Sequence, residues 1–171
     1  MTNIEKRKKA TTIIADMMYD CVQDMLNVGI PVQADNILDI RLMPLHDTQA
    51  GCFYRTSSNG EMEFILAIHD DFVRYMDDTV VLENVKNSIY HELLHTCPNA
   101  QEHNQTWLQL AVQCDELISS KTRVYQEREI YYNVSNDVAY IYRCDDCGFE
   151  YHSVSDEFEH MQCDICQKQM H

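Results

Sequence analysis

At 171 residues, with 45% apolar and 9% aromatic content, the chain has the size of one globular domain with a small appendage and is short for two full domains. Its formal charge of −15 opposes contact with a phosphate backbone, because nucleic-acid affinity comes largely from Lys and Arg neutralising phosphates. No apolar run approaches the roughly 18 residues of a membrane span, and the start, MTNIEKRKKATTII, carries no uninterrupted apolar region of a signal peptide, so the expected location is the cytoplasm and no membrane partner is expected.

Residues from about 5 to 28 place Ala10, Ile13, Ile14, Met17, Met18, Cys21, Val22, Met25 and Leu26 at helical spacing, and Gly29 with Pro31 supplies the stop. The methionines read as core filling. Lys6, Arg7, Lys8 and Lys9 at its start read as a solvated helix face rather than a nucleic-acid contact.

From about 37 to 69 the pattern is that of strands. Asn59-Gly60 is a turn signal, followed by Met62, Phe64, Leu66 and Ile68 at alternating positions, which predicts a hairpin with one buried face. His46 and His69, near strand ends, read as surface or satisfied histidines.

A second helix is expected from about 79 to 96, with Leu82, Val85, Ile89 and Leu93 as its apolar stripe and Pro98 as its stop. A third runs from about 103 to 118, with Trp107, Leu110, Ala111, Cys114 and Leu117 on one face. The stretch from there to about 137 is polar, rich in tyrosine and of low periodicity. The domain reading is therefore 1–120 for the main domain, 121–137 for a connector and 138–171 for a small cysteine module.

The second helix carries the chemistry. His91-Glu92-Leu93-Leu94-His95 is an HExxH sequence, whose spacing puts both imidazoles on one helical face, able to hold one Zn²⁺ with Glu92 beside it as general base. Zinc lowers the pKa of its water toward about 7, and the carboxylate can accept the proton and pass it to the leaving amine. Both histidines lie nearly opposite the apolar stripe, facing away from that core contact. A catalytic zinc needs a third protein ligand and an open fourth position. Downstream candidates are Cys97, Glu102, His103 and Glu116; a helix starting near His103 projects that residue along the Trp107 face and turns Glu116 away, which favours His103.

The stretch from Tyr90 to Trp107, HELLHTC followed by HNQTW, resembles the SprT-like family of zinc metallopeptidases, and AGCFYR and FILAIHDDFV resemble that family's strand pair ahead of the metal helix. The resemblance implies a zincin-type α+β protease domain (N-terminal helix, small antiparallel sheet, HExxH helix, following helix) with a C-terminal zinc ribbon. It also implies His91, His95 and His103 as ligands of the catalytic zinc and Glu92 as the base. The family's best-known members degrade proteins crosslinked to DNA, so nucleic acid enters as a partner by resemblance, against the acidic charge. One departure is Asn104, where the family usually has glycine; asparagine tolerates unusual backbone angles.

Of the eight cysteines, Cys21, Cys52, Cys97 and Cys114 stand singly. Cys144-x2-Cys147 and Cys163-x2-Cys166, with fifteen residues between the pairs, have the spacing of a tetrahedral Cys₄ structural zinc site. A segment so poor in core residues needs such a staple. From 138 onward two basic residues, Arg143 and Lys168, stand against seven acidic ones, which points the module toward protein rather than nucleic acid.

The expectation is a zinc-dependent endopeptidase with one catalytic and one structural Zn²⁺, acting on protein substrates that add to the edge of the strand around Phe64 to Ile68. Tyr125, Tyr131 and Tyr132 are candidate oxyanion donors. The alternative is a catalytically silent zinc-binding adaptor that binds protein partners.

Overall fold

In the computed structural model, residues 2–45, 48–118, 124, 140–143 and 150–153 are described. The chain is of the α+β class, with helices around a three-stranded sheet and a separate two-stranded hairpin. No helix among the described residues is long and apolar enough to cross a membrane.

Helix α1 spans Asn3–Asn27 and opens with a capping box. The Glu5 N–H donates to the Thr2 hydroxyl at 3.2 Å and the Thr2 N–H to the Glu5 carboxylate at 2.6 Å, satisfying two of the donors a helix start leaves over. Ala10, Ile14, Cys21, Val22 and Met25 form its buried side. It ends where Gly29 takes φ +80°, letting the Ile30 N–H reach back to the Met25 carbonyl at 2.9 Å. The basic residues at its start are partly absorbed by the fold: Arg7 donates to the Leu42 carbonyl at 2.7 Å and pairs with Asp70 at 3.4 Å, and Lys9 pairs with Asp77 at 2.6 Å.

Strands β1 (Ile37–Met43), β2 (Ala50–Thr56) and β3 (Met62–His69) form the sheet in the order β1-β3-β2. The hairpin is present, with Gly60 at φ +85° in its turn and β2 antiparallel to β3. The expected antiparallel sheet is instead mixed, because β1 pairs with β3 in parallel. Alternation specifies which face of a strand is buried and says little about which strand lies beside it. The placement of β3 corrects two further expectations. Every residue from Phe64 to His69 is buried, so both faces are covered, and β3 is the central strand with no free edge.

A short helix α2 (Phe72–Tyr75), absent from the sequence reading, seats Phe72 wholly in the core. Helix α3 spans Thr79–Leu94 and starts at Asp78, whose carboxylate accepts from the N–H groups of Val80 at 2.8 Å and Val81 at 3.2 Å. Its buried residues include Val81, Val85, Ile89 and Leu93; Leu82 is only half-buried. It meets α1 through a polar tie, in which the buried Tyr90 hydroxyl donates to the Asp24 carboxylate at 2.5 Å and Lys86 lies 3.5 Å from the same group. Replacing Asp24 by Ala leaves a buried hydroxyl without its charged acceptor, a loss of about 1.5–3 kcal/mol, which thermal unfolding of Asp24→Ala against the parent measures.

Helix α4 spans Gln105–Leu117 and buries Trp107, Ala111 and Cys114. Farther on, β4 (Tyr140–Arg143) and β5 (Glu150–Ser153) pair antiparallel, from Tyr140 opposite Ser153 to Arg143 opposite Glu150. Cys144, Cys147, Cys163 and Cys166, and with them the expected ribbon, lie outside the described residues, as do His46, Tyr125, Tyr131 and Tyr132.

Candidate metal centre

Helix α3 delivers His91 from its last turn and His95 from the residue that closes it, with φ −65° and ψ −17°, so the one-turn offset of the two rings is kept. The helix yields to turns after Leu94, ahead of Pro98. The loop back to α4 passes through Asn99 at φ +62° and brings in His103. Potential ligand atoms of His91, His95 and His103 all lie within 4.8 Å of one another. Ring centroids stand 5.3 Å apart for His91–His95, 4.9 Å for His91–His103 and 4.8 Å for His95–His103, so the three rings surround one point. The Nε2 atoms of His91 and His103 are 2.9 Å apart. Tetrahedral zinc with Zn–N bonds of about 2.0–2.1 Å would set its nitrogens roughly 3.3 Å apart, a few tenths of an ångström from this arrangement.

His103 does not open α4 as the spacing suggested; it stands two residues before the helix, and Asn104 is the N-cap. The Asn104 side chain accepts from the Trp107 N–H at 3.0 Å and donates to the Asn99 carbonyl at 2.8 Å, which fixes the loop on either side of His103. Asn104 itself is extended, at φ −88° and ψ −175°, so its position makes no demand for glycine, and the left-handed residue of this loop is Asn99. The other third-ligand candidates go elsewhere. Cys97 is wholly buried, Glu102 accepts from the Tyr54 hydroxyl at 3.2 Å, and Glu116 is exposed on α4.

The electrostatics suit a cation. Burial, reinforced by the neighbouring His95 and His103 rings, pulls His91 down from 6.5 to about 4; burial and then His103 also lower His95. Neutral imidazoles have the lone pairs a metal needs. Of the outer nitrogens, His95 Nδ1 lies 3.2 Å from the Ala100 carbonyl. Trp107 forms one wall, its ring centroid 4.7 Å from that of His91 and 4.5 Å from that of His103. Because the folded-state value of His91 lies below the unfolded one, its contribution to apo-protein stability is complete above pH 6.5 and is lost as pH falls toward about 4. The stability difference between apo parent and His91→Asn, followed by thermal unfolding from pH 7 to 4, should shrink over that window.

Glu92 is buried on α3, next to His91 in sequence. Burial, and secondarily the Glu92 charge, raise the Cys52 thiol far above its ordinary range. Burial also raises Cys21 and Cys97 to about 12 and Cys114 further, so none of these four thiols is a thiolate at neutral pH.

A second group, His69, Asp70 and Asp71, has ligand atoms equally close, but its groups are already engaged. The Asp71 N–H donates to His69 Nδ1 at 3.1 Å, Arg7 faces Asp70 at 3.4 Å and Arg74 faces Asp71 at 3.3 Å. His69 is thus a satisfied buried histidine, as the sequence suggested. Sequence reasoning missed Tyr54, which reaches the histidine loop through a contact between distant segments that carries no motif. No protein-family model, curated protein or solved structure matches this chain.

Proposed function

We propose that this chain is a zinc-dependent endopeptidase of the SprT-like type, cytoplasmic, acting on protein substrates. The observation that carries the proposal is the convergence of His91, His95 and His103 on one point, with the buried Glu92 beside them. His91, His95 and His103 would hold the catalytic Zn²⁺, and when bound it would supply Lewis-acid polarisation of the scissile carbonyl and a water acidified toward about pKa 7.

The protein's own part is positional. Glu92, buried on α3 next to His91, accepts the proton of the attacking water and returns it to the leaving amine. Among the described residues β2 is paired on one side only, with β3, so its outer edge offers backbone groups to an extended peptide. This replaces the edge first assigned to Phe64–Ile68. The Tyr54 hydroxyl, on the same strand, bridges to Glu102 next to His103 and joins the rim of the strand to the histidine loop.

Elemental mass spectrometry of the purified protein and its His95→Ala variant tests the reading. Two zincs per chain falling to one is expected, from a histidine site and a Cys₄ ribbon formed by Cys144, Cys147, Cys163 and Cys166. One zinc, unchanged in the variant, would leave only the ribbon and turn the assignment to a zinc-binding adaptor. Proteolysis that rises with single-stranded DNA and falls steeply with salt would add the nucleic-acid partner that the resemblance implies.

A further inference from the structure

Trp107 is the chain's single tryptophan, and sequence reasoning placed it only on the apolar face of a helix. It stands in the first turn of α4, where the Asn104 side chain accepts its backbone N–H at 3.0 Å. A long side chain on a helix leans back over the preceding turn, and here that lean carries the indole toward the loop of His103. The side chain is buried, 4% exposed, and belongs to the core.

All three imidazoles meet this one ring. Its centroid is 4.5 Å from that of His103, with 74° between the planes, 4.7 Å from that of His91 at 61°, and 5.8 Å from that of His95 at 26°. His91 and His103 each lie nearer to the indole than to either of the other imidazoles, which stand 4.8 to 5.3 Å away. His91 and His95 keep their mutual offset through α3, whereas His103 arrives on a loop, so a surface that touches both sets is what registers one against the other. The indole N–H is buried without an acceptor among the described residues, which leaves the flat ring, and not a hydrogen bond, as the means of contact.

We propose that Trp107 is a positioning residue of the metal centre, its ring being the common surface that sets the His103 imidazole against those of His91 and His95. This rests on the metal-centre reading above and adds how a loop histidine is kept in register with two helix histidines. An imidazole left unpacked has to be ordered by the ion itself, at the expense of binding free energy. Groups packed around a metal's ligands orient them and exclude solvent, and losing one costs roughly 10–100-fold in metal affinity.

The experiment uses the full chain loaded with zinc and dialysed against graded chelator, with zinc per chain read by elemental mass spectrometry. His95→Ala identifies the share belonging to the histidine site. Trp107→Leu, apolar but without a flat ring, is expected to release that share at a chelator strength roughly 10–100-fold lower than the parent. Trp107→Phe keeps a flat ring at the same place and should stay close to the parent. Trp107→Met, apolar and adaptable in shape, carries the test should Trp107→Leu not fold. Ile14→Ala opens a cavity in the core beside α1, lowers the melting temperature and should leave zinc release unchanged, which separates positioning from general stability. Release from Trp107→Leu at the parent's chelator strength, even with a lowered melting temperature, overturns the inference and leaves Trp107 a core residue alone. Loss in Trp107→Phe or in Ile14→Ala as large as in Trp107→Leu also overturns it. A folded parent that holds no histidine-dependent zinc defeats the metal-centre reading itself, and this inference with it.

Discussion

Glu92→Gln is expected to keep the zinc content of the parent and to lower hydrolysis of an unfolded protein substrate by roughly 10²–10⁴-fold, the usual worth of a general base. The substitution keeps the shape of the side chain and removes only its capacity to take a proton. Glu92 lies next to His91 in sequence but is no part of the histidine cluster, so its loss should leave the metal in place. Burial also keeps the Cys52 thiol protonated, which rules it out as a substitute nucleophile near Glu92. Cys52→Ala is accordingly the control, with turnover close to the parent's. Turnover retained in Glu92→Gln would refute the assigned base, whereas loss of zinc together with activity would mean that the carboxylate supports the site and does not act in the chemistry.

What the sequence made legible follows from how local each signal is. The HExxH spacing is a property of one helix, and its rings fall together as soon as residues 79–94 are helical. The hairpin, carried by Asn59-Gly60 and alternation on either side, is equally local. Which strand lies centrally is a matter of pairing between segments, and alternation is silent about it; the continuous apolar run Phe64–Ile68, buried on both faces, was the available sign that β3 is internal. Asn104 was read as a stand-in for glycine, yet its side chain caps α4, a role for which asparagine ranks among the best residues. The Tyr54–Glu102 bridge could not be read at all, since it depends on segments that meet only once the chain has folded.

His103→Ala is expected to weaken zinc binding at the histidine site by more than the roughly 10–100-fold that losing an outer partner costs, since it removes a donor from the inner set of three. Two remaining imidazoles would leave the ion half-coordinated by protein. The position of His103 makes the variant informative, because it belongs to neither flanking helix. It is exposed, stands in a loop, and is held against His91 by the Asn104 cap, the Asn104–Asn99 bond and the bridge from Glu102 to Tyr54. Truncating an exposed loop residue should leave the fold intact, so zinc lost in His103→Ala at an unchanged far-ultraviolet circular dichroism spectrum reports ligation and not unfolding. Glu116→Ala is the counterpart: an exposed carboxylate on α4, at the position that a helix-borne glutamate ligand would compete for, whose removal should change neither zinc content nor proteolysis. Zinc lost in Glu116→Ala and kept in His103→Ala would reverse the assignment and require α4 to rotate from the face that now buries Trp107 and Cys114.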